Sequence, residues 1–195
     1  MSVVTATWRA TQKANRRASL MTAAARLFAE RGFAAVSTVD LGEAVGMSGP
    51  ALYKHFPSKD ALLAELLTDA SERLLEGCRE ILAERISPDE ALARLVRFHL
   101  DFATADPDII RLQDRELAHL ATDVNHEVRR LQRAYVQEWD AVLERRRPEL
   151  DADERQTRLL ATFGLLNSTP HSAVAANAPD ILAGMALRAL AGADA

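Results

Sequence analysis

The stretch from Ser37 to Leu62 decides the fold, and it reads STVDLGEAVGMSGPALYKHFPSKDAL. Its first serine can cap a short helix that runs to about Val45, and Gly46 permits a sharp turn after that helix. Ser48 stands where it can cap a second short helix that ends near Phe56. Two short helices joined by a glycine-containing turn form a helix-turn-helix, and the second helix of such a unit can enter the major groove of DNA.

The side chains of this stretch divide into an inner and an outer set. The apolar set can face one small core and comprises Leu41, Val45, Met47, Leu52 and Phe56. The outer face of the second helix offers Gly49, Pro50, Tyr53, Lys54 and His55. Small residues at the start of that helix allow close approach to base edges, and a helix N-terminus presents free N–H groups to phosphate. Lys59 opposes the dipole of the following helix at a cost of a few tenths of a kcal/mol, which a nearby phosphate would reverse.

The stretch resembles the DNA-binding domain of the TetR family of transcriptional regulators. The positions in register with the family pattern are Ser37, Leu41, Gly46, Met47, Ser48, Leu52, Tyr53, His55, Phe56, Lys59 and Leu62. The preceding AARLFAERGF, residues 24–33, matches as well, so the resemblance covers about residues 14–65. Gly42 departs from the usual alanine and should loosen the first helix of the motif by ~1 kcal/mol, and Val45 replaces a second alanine.

The resemblance implies a role in DNA binding for individual positions. Those expected to touch phosphate are Tyr53, Lys59 and, at the start of the first motif helix, Ser37 or Thr38. Those expected at or near the bases are Ser48, Gly49 and Pro50. Those expected to flank the DNA backbone are Lys54 and His55.

Four basic residues, Arg9, Lys13, Arg16 and Arg17, precede the first helix that the sequence predicts. They could form an arm that enters a minor groove or rests on phosphate. The alternative is a frayed and solvated terminus.

The charge of the chain is divided unevenly along its length. The 195 residues carry a formal net charge of −4, which by itself argues against nucleic-acid binding. Residues 1–60, however, hold eight Lys+Arg and four Asp+Glu, and the remainder holds 16 Lys+Arg and 24 Asp+Glu. A basic head joined to an acidic body is expected where one end of a protein meets phosphate.

Length and composition restrict the class of protein. The length fits one domain or two small ones, and the single cysteine, Cys78, excludes an internal disulfide and any multi-cysteine metal site. No apolar run approaches the ~20 residues of a membrane span, and the N-terminal residues lack the pattern of a secretory signal. We therefore expect a cytoplasmic protein that does not enter a membrane.

Apolar residues recur at helical spacing along the whole chain, and no segment alternates as a strand would. Helix starts are indicated at Ser87, Asp106 and Asp151. The sequence predicts an all-α fold of about nine or ten helices. A three-helix helix-turn-helix domain at residues 1–60 is followed by a larger helical effector-binding and dimerisation domain at residues 61–195.

The later helices are candidates for a dimer interface. The resemblance implies a homodimer formed by the C-terminal helices, here at about residues 152–169 and 179–191, which are apolar and rich in alanine and glycine. One helix-turn-helix reads only a few base pairs, so useful specificity generally needs two half-sites. The alternative is that these helices only close the core of the monomer.

The middle helices carry candidate residues for a ligand pocket, namely Phe98, His99, Phe102, Arg115, His119, Tyr135 and Trp139. Core packing is the alternative for each, and for His99 it is the favoured one, as a hydrogen-bonded core histidine. The polar interruption at residues 163–171 is either a helix kink or a pocket wall. Helical spacing scatters His119, Asp123 and His126, so we expect no metal and no cofactor.

These observations predict a dimeric DNA-binding transcriptional regulator, a repressor that a small apolar ligand releases from operator DNA. The arrangement is similar to that of actinobacterial family members that control fatty-acid or acyl-CoA degradation, which suggests a fatty acyl-CoA whose phosphates meet Arg115 or other exposed arginines. One alternative is a regulator with no small-molecule ligand, controlled by a protein partner or by concentration. An all-helical enzyme is disfavoured because the sequence shows no nucleophile beside a base, no carboxylate pair with a role and no phosphate-binding loop.

Overall fold

The computed structural model describes residues 2–172 and 175–191 of the chain, with side chains from Thr11 onward. The described part contains helices and no strands, as predicted. The helices are α1 (Ser2–Arg31), α2 (Thr38–Ala44), α3 (Gly49–Tyr53), α4 (Lys59–Ala83), α5 (Pro88–Ala105), α6 (Pro107–Arg115), α7 (Thr122–Arg146), α8 (Ala152–Asn167), α9 (Thr169–Ser172) and α10 (Ala178–Ala191). A single turn of 3-10 helix, Leu117–His119, joins α6 to α7.

Most helix starts follow the capping signals in the sequence. The Ser37 side chain accepts the N–H of Asp40, and the Asp40 carboxylate accepts the N–H of Ser37, which completes a capping box for α2. Ser87 and Asp151 cap α5 and α8 in the predicted way. Asp106 occupies the cap position of α6, but its side chain makes no capping hydrogen bond.

The N-terminal basic residues do not precede the first helix, which corrects the prediction of an arm. Arg9, Lys13, Arg16 and Arg17 all lie within α1, which begins at Ser2. The segment contains no glycine or proline before Gly32, and its alanines, arginines and glutamine favour helix, so nothing stops the helix from extending toward the N-terminus.

The turn between α2 and α3 explains two of the three glycines of the motif, Gly42 and Gly46. Gly46 has φ +64°, a conformation that residues with a side chain rarely adopt. A Cβ atom on Gly42 would lie 2.6 Å from the carbonyl oxygen of Met47. The prediction that Gly42 loosens α2 therefore leaves out the main effect of this glycine. It lets the Met47 carbonyl approach closely, and the Cβ of an alanine would force the turn away from α2.

One continuous apolar core joins the first helices to the body. It runs from Leu20, Phe28 and Leu41 through the long helix α4 to Trp139 on α7 and includes residues of α8 and α10. Helix α4 packs against α1, α5, α6 and α7, and α6 packs directly against α1. Helix α1, which packs against α2 as well as α4 and α6, therefore joins the helix-turn-helix to the body.

Candidate nucleic-acid interface and ligand cavity

Helix α3 presents the surface that the sequence assigned to DNA. Tyr53 is 52% exposed, and Ser48, Pro50 and Lys54 are exposed as well. On the inner side, Leu52 is fully buried and holds the helix to the core. An exposed large aromatic residue on an anchored helix leaves its phenol hydroxyl free to reach a phosphate oxygen.

Helix α3 is shorter than predicted and ends at Tyr53, not near Phe56. Lys54 and His55 therefore lie in the turn that follows the helix. Ser48 occupies the N-cap position, but its side chain makes no capping hydrogen bond. Its hydroxyl is thus left for another partner. Ser37 is exposed and Thr38 half-buried, both at the start of α2.

The end of the motif faces the basic residues of α1. Burial, together with the charges of Lys13, Arg17 and Arg16, lowers the pKa of His55. The Arg17 guanidinium donates to the His55 carbonyl oxygen at 2.8 Å, forms an ion pair with Glu65 and lies over the Phe56 ring. Arg17 therefore fastens α1 to the motif, while Lys13 and Arg16 remain exposed beside it.

Lys59 is held by the protein itself, which the sequence analysis did not predict. Its ammonium group donates to the carbonyl oxygens of Phe33 and Val36, each at 2.8 Å, and lies 4.3 Å from the centre of the Phe33 ring. These contacts offset the unfavourable position of a cation at the start of α4. Only one of its three N–H groups remains for a phosphate.

Phe33 also contacts residues of the body, at the end of α6 and in the turn that follows it. Its backbone N–H donates to the buried carboxylate of Glu116 at 3.4 Å, and its ring lies 5.5 Å from that of His119. Glu116 pairs with His119 at 3.1 Å, and Arg115 donates to the carbonyl oxygen of Ala29. The end of α6 is therefore fixed to the end of α1 by polar contacts.

A cavity of about 600 Å³ lies in the body, between α4, α5, α6, α7 and α8. Its apolar lining includes Leu74, Tyr135, Val136, Leu159 and Phe163. Its polar lining includes Ser71, His99, Gln113, Arg129, Gln132, Arg133, Gln137, Asp140, Gln156 and Asn167. The exposed members of the lining, such as Arg133 and Gln156, mark a mouth between α7 and α8.

His99 forms the polar floor of the cavity. Its Nδ1 lies 3.1 Å from the Tyr135 hydroxyl, and its Nε2 lies 2.9 Å from Oδ1 of Asn167. Burial lowers the pKa of His99 to about 4, so the ring is neutral. A neutral ring that donates a hydrogen bond from Nε2 to Asn167 must accept a hydrogen bond from the Tyr135 hydroxyl at Nδ1. Both ring nitrogens then have a hydrogen-bond partner.

The structure places the seven predicted pocket residues in three groups. His99 and Tyr135 line the cavity, and Trp139 is buried behind them with its ring 5.0 Å from that of Phe163. Phe98 and Phe102 are not part of the lining, and Phe102 is buried under Arg73. Arg115 and His119 lie at the contact with α1 instead, which corrects their assignment to a pocket.

The segment at residues 163–171 does form part of a wall, through Phe163 and Asn167. Gln113, Arg129, Arg133 and Gln156 also line the cavity and were not predicted from the sequence. The spacing of Arg129 and Arg133, one helical turn apart and followed by Tyr135 and Val136, was the available signal. Cys78 is buried and its burial raises the pKa of the thiol to about 12, so it is inert.

Neither a metal centre nor a membrane span appears in the part of the chain that the structure describes. Within residues 2–172 and 175–191, no three His, Cys, Asp or Glu side chains lie close enough to hold a metal ion. No helix in those ranges combines the length and apolar character that crossing a bilayer requires.

Comparison with known families agrees with this architecture. The model described as bacterial regulatory proteins, tetR family, matches residues 20–66, and the model of the tetracyclin repressor-like C-terminal domain matches residues 85–171. The chain belongs to the TetR family of transcriptional regulators. The family and the relatives that the chain matches are transcriptional regulators and not enzymes.

Individual TetR-family proteins show how far the similarity extends. The transcriptional repressor KstR2 of Rhodococcus jostii is 32% identical over 111 residues, which are 57% of this chain and 54% of that protein. The chain thus spans about half the length of the curated relatives it matches. A TetR-family regulator from Bordetella parapertussis superposes with a TM-score of 0.83 at 26% identity and covers 91% of this chain and 95% of that one.

The same fold is found in AibR, whose structure was solved with isovaleryl coenzyme A and operator DNA. It superposes with a TM-score of 0.77 at 17% identity and covers 91% of this chain and 99% of that one.

Proposed function

We propose that this TetR-family regulator binds operator DNA as a homodimer in the cytoplasm and represses transcription until a small ligand with an apolar part enters the cavity. The observation that carries the DNA-binding half is the exposed Tyr53 on an anchored α3, beside the exposed Lys13 and Arg16 of α1. Phosphate contacts give such a surface affinity, and groove contacts give it sequence preference.

The DNA contacts follow from the placement of the side chains. Tyr53, Lys54 and the remaining N–H of Lys59 bind phosphates around the major groove, with Ser37 and Thr38 at the start of α2. Ser48, Gly49 and Pro50 lie at the tip of α3 and approach the bases. Because α1 is helical at Lys13 and Arg16, these residues reach the DNA backbone as one face of a helix.

Homodimer formation is supported by apolar side chains that the monomer leaves exposed. Leu160 on α8 is 55% exposed, and Ile181 and Met185 on α10 are 48% and 43% exposed. The two helices pack against each other, and Leu160 also belongs to the lining of the cavity. A four-helix contact between two copies would bury them and place two α3 helices on one DNA site.

The ligand half of the proposal rests on the cavity and on its connection to the motif. A volume of about 600 Å³ lies within the range of small-molecule sites. Helix α6 contributes Gln113 to the lining, and Glu116, directly after the end of α6, accepts the N–H of Phe33. A ligand that favours another position of α6 would therefore change how the motif is held. A small acyl-CoA is one candidate, since AibR, which shares the fold, binds isovaleryl coenzyme A.

The experiment is a titration of the purified protein onto DNA from upstream of its own gene, with and without decanoyl-CoA, against scrambled DNA of the same length. The proposal expects preference for the upstream DNA, and release when decanoyl-CoA is added. Tyr53→Phe should weaken binding about tenfold through loss of one hydrogen bond to a charged group. Equal affinity for both DNAs and for the variant would contradict the DNA-binding surface described here.

A further inference from the structure

Among the described residues of the body, six arginines pair with no carboxylate, namely Arg85, Arg129, Arg133, Arg145, Arg158 and Arg188, and of these Arg129 and Arg133 line the cavity. Arg73, Arg79, Arg94, Arg97, Arg111, Arg130, Arg146, Arg147 and Arg155 each pair with a carboxylate. Within the described ranges, Arg133 makes no hydrogen bond or ion pair, and the hydrogen bond of Arg129 goes to the neutral Asn125. Two guanidinium groups one helical turn apart are thus left without a counter-charge.

The carboxylate in the lining does not neutralise them. Asp140 is the acidic residue among the described residues of the lining, and it pairs with Arg155 at 2.9 Å. Arg155 is itself buried and donates to the Leu150 carbonyl oxygen as well, which fixes the pair. The positive charge of Arg129 and Arg133 at the mouth is therefore uncompensated.

The cavity behind these arginines suits an apolar group. Leu74, Val136, Leu159 and Phe163 line it, and the polar floor at His99 is neutral and already hydrogen-bonded to Tyr135 and Asn167. At this floor the polar groups of His99, Tyr135 and Asn167 are bonded to one another, so a buried charge on the ligand would be costly there. The site thus has a cationic mouth, and behind it the lining combines apolar side chains with uncharged polar ones and the paired Asp140.

We propose that the cavity binds an amphipathic anion, whose apolar body lies inside and whose anionic group lies between Arg129 and Arg133. This deepens the proposed function and rests on its ligand half. The anionic group is a carboxylate or the phosphate of a thioester-linked nucleotide, since a guanidinium binds both through paired N–H donors. Arg115 takes no part, because it is fixed to α1.

Calorimetric titration of the full chain with decanoate, decanoyl-CoA, decan-1-ol and decyltrimethylammonium tests this inference. The wild type should bind decanoate or decanoyl-CoA at least ~10-fold more tightly than the alcohol or the cation, because charge-assisted hydrogen bonds contribute that much. The R129Q/R133Q double variant should lose this preference. Arg130→Gln is the matched control, since Arg130 lies on the same helix outside the cavity and pairs with Glu127, and it should keep the preference.

The two anionic probes separate the sources of the charge. Tighter binding of decanoate assigns the mouth to a carboxylate, and tighter binding of decanoyl-CoA assigns it to phosphate. Equal binding of acid, alcohol and cation, a preference retained by the double variant, or no binding of any probe would overturn the inference.

Operator binding by each protein without ligand distinguishes this result from failure of the proposed function. If the probes bind as expected but DNA is not released, the release mechanism fails and the ligand assignment stands. If DNA binds normally and the probes show no charge preference, the ligand assignment fails and DNA recognition stands.

Discussion

Lys59 has a structural role in addition to the DNA contact that we propose for it. Its ammonium group ties the carbonyl oxygens of Phe33 and Val36 to the start of α4. Those carbonyls lie between α1 and α2, so Lys59 fixes the motif relative to α4. The family resemblance pointed to a phosphate contact at this position, and the structure adds the contacts that position the group.

Lys59→Met should lower the free energy of unfolding by about 2 kcal/mol, because two hydrogen bonds from a charged group are lost while the apolar stem is kept. It should also reduce the salt dependence of operator binding by about one phosphate contact. Lys54→Met is the matched control, since Lys54 is exposed and should change DNA binding without changing stability. Denaturant unfolding and anisotropy titrations measure the two effects, and an unchanged stability of Lys59→Met would contradict the structural role.

His99 should make the fold sensitive to acid. Its folded-state pKa of about 4 lies below the unfolded value of 6.5, so the unfolded chain binds the proton more readily between these values. The stability that the buried, neutral His99 ring gives the fold is fully present above pH 6.5 and declines as the pH falls. Between pH 7 and pH 5 the wild type should lose about 2 kcal/mol more than His99→Gln. Denaturant unfolding at both pH values tests this, and identical pH dependence of the two proteins would refute it.

At the scale of single residues, the sequence was sufficient where a position acts through local geometry. The Ser37 capping box and the positive φ at Gly46 follow from neighbours a few residues away. Gly42 and Arg115 were misjudged because their surroundings come from elsewhere: the carbonyl of Met47 in one case and Ala29 on α1 in the other. Contacts across such separations have no periodic signature in a single sequence.

Among the helices, lengths and starts were largely predictable, and termini without strong signals were not. Helices α5 and α8 begin directly after Ser87 and Asp151, where the capping signals predict their starts. The N-terminal extension of α1 was not predicted, because that segment contains no helix-breaking residue to define where the helix begins. The early end of α3 was not predicted, because no glycine or proline stands at Tyr53 to mark it. The division of the chain at residue 60 stays a prediction, since one core crosses it.

Helices α8 and α10 carry the prediction for the dimer. Met185→Glu replaces an exposed apolar side chain of α10 with a charged one, and burial of an unpaired charge in a dimer contact is strongly unfavourable. The variant should be monomeric at concentrations where the wild type is a dimer, as measured by sedimentation velocity. Ala141→Glu, at an exposed position on α7, should leave the dimer intact. A dimer of unchanged affinity for Met185→Glu would exclude this face as the interface.

At the scale of the whole molecule, the charge division and the shared core suggest how the two functions are combined. The first third of the chain is basic, and the acidic remainder holds the cavity, with α6 in contact with α1 and lining the cavity through Gln113. The family could be inferred from one short motif and the all-α fold from the helical spacing of apolar residues, while the DNA-contacting positions stay a prediction. The anionic ligand that we propose for the cavity could not be inferred, because it depends on which arginines line the cavity without a carboxylate partner after folding.

The central claim is that the surface around α3 reads a DNA sequence through phosphate and groove contacts. Its most direct test is selection of bound duplexes from a random-sequence library, followed by affinity measurements on the selected sequence over a range of salt concentrations. We expect enrichment of an inverted repeat with half-sites about one helical turn apart, and an affinity that falls steeply as salt rises. Failure to enrich any sequence, or an affinity that salt leaves unchanged, would contradict the account.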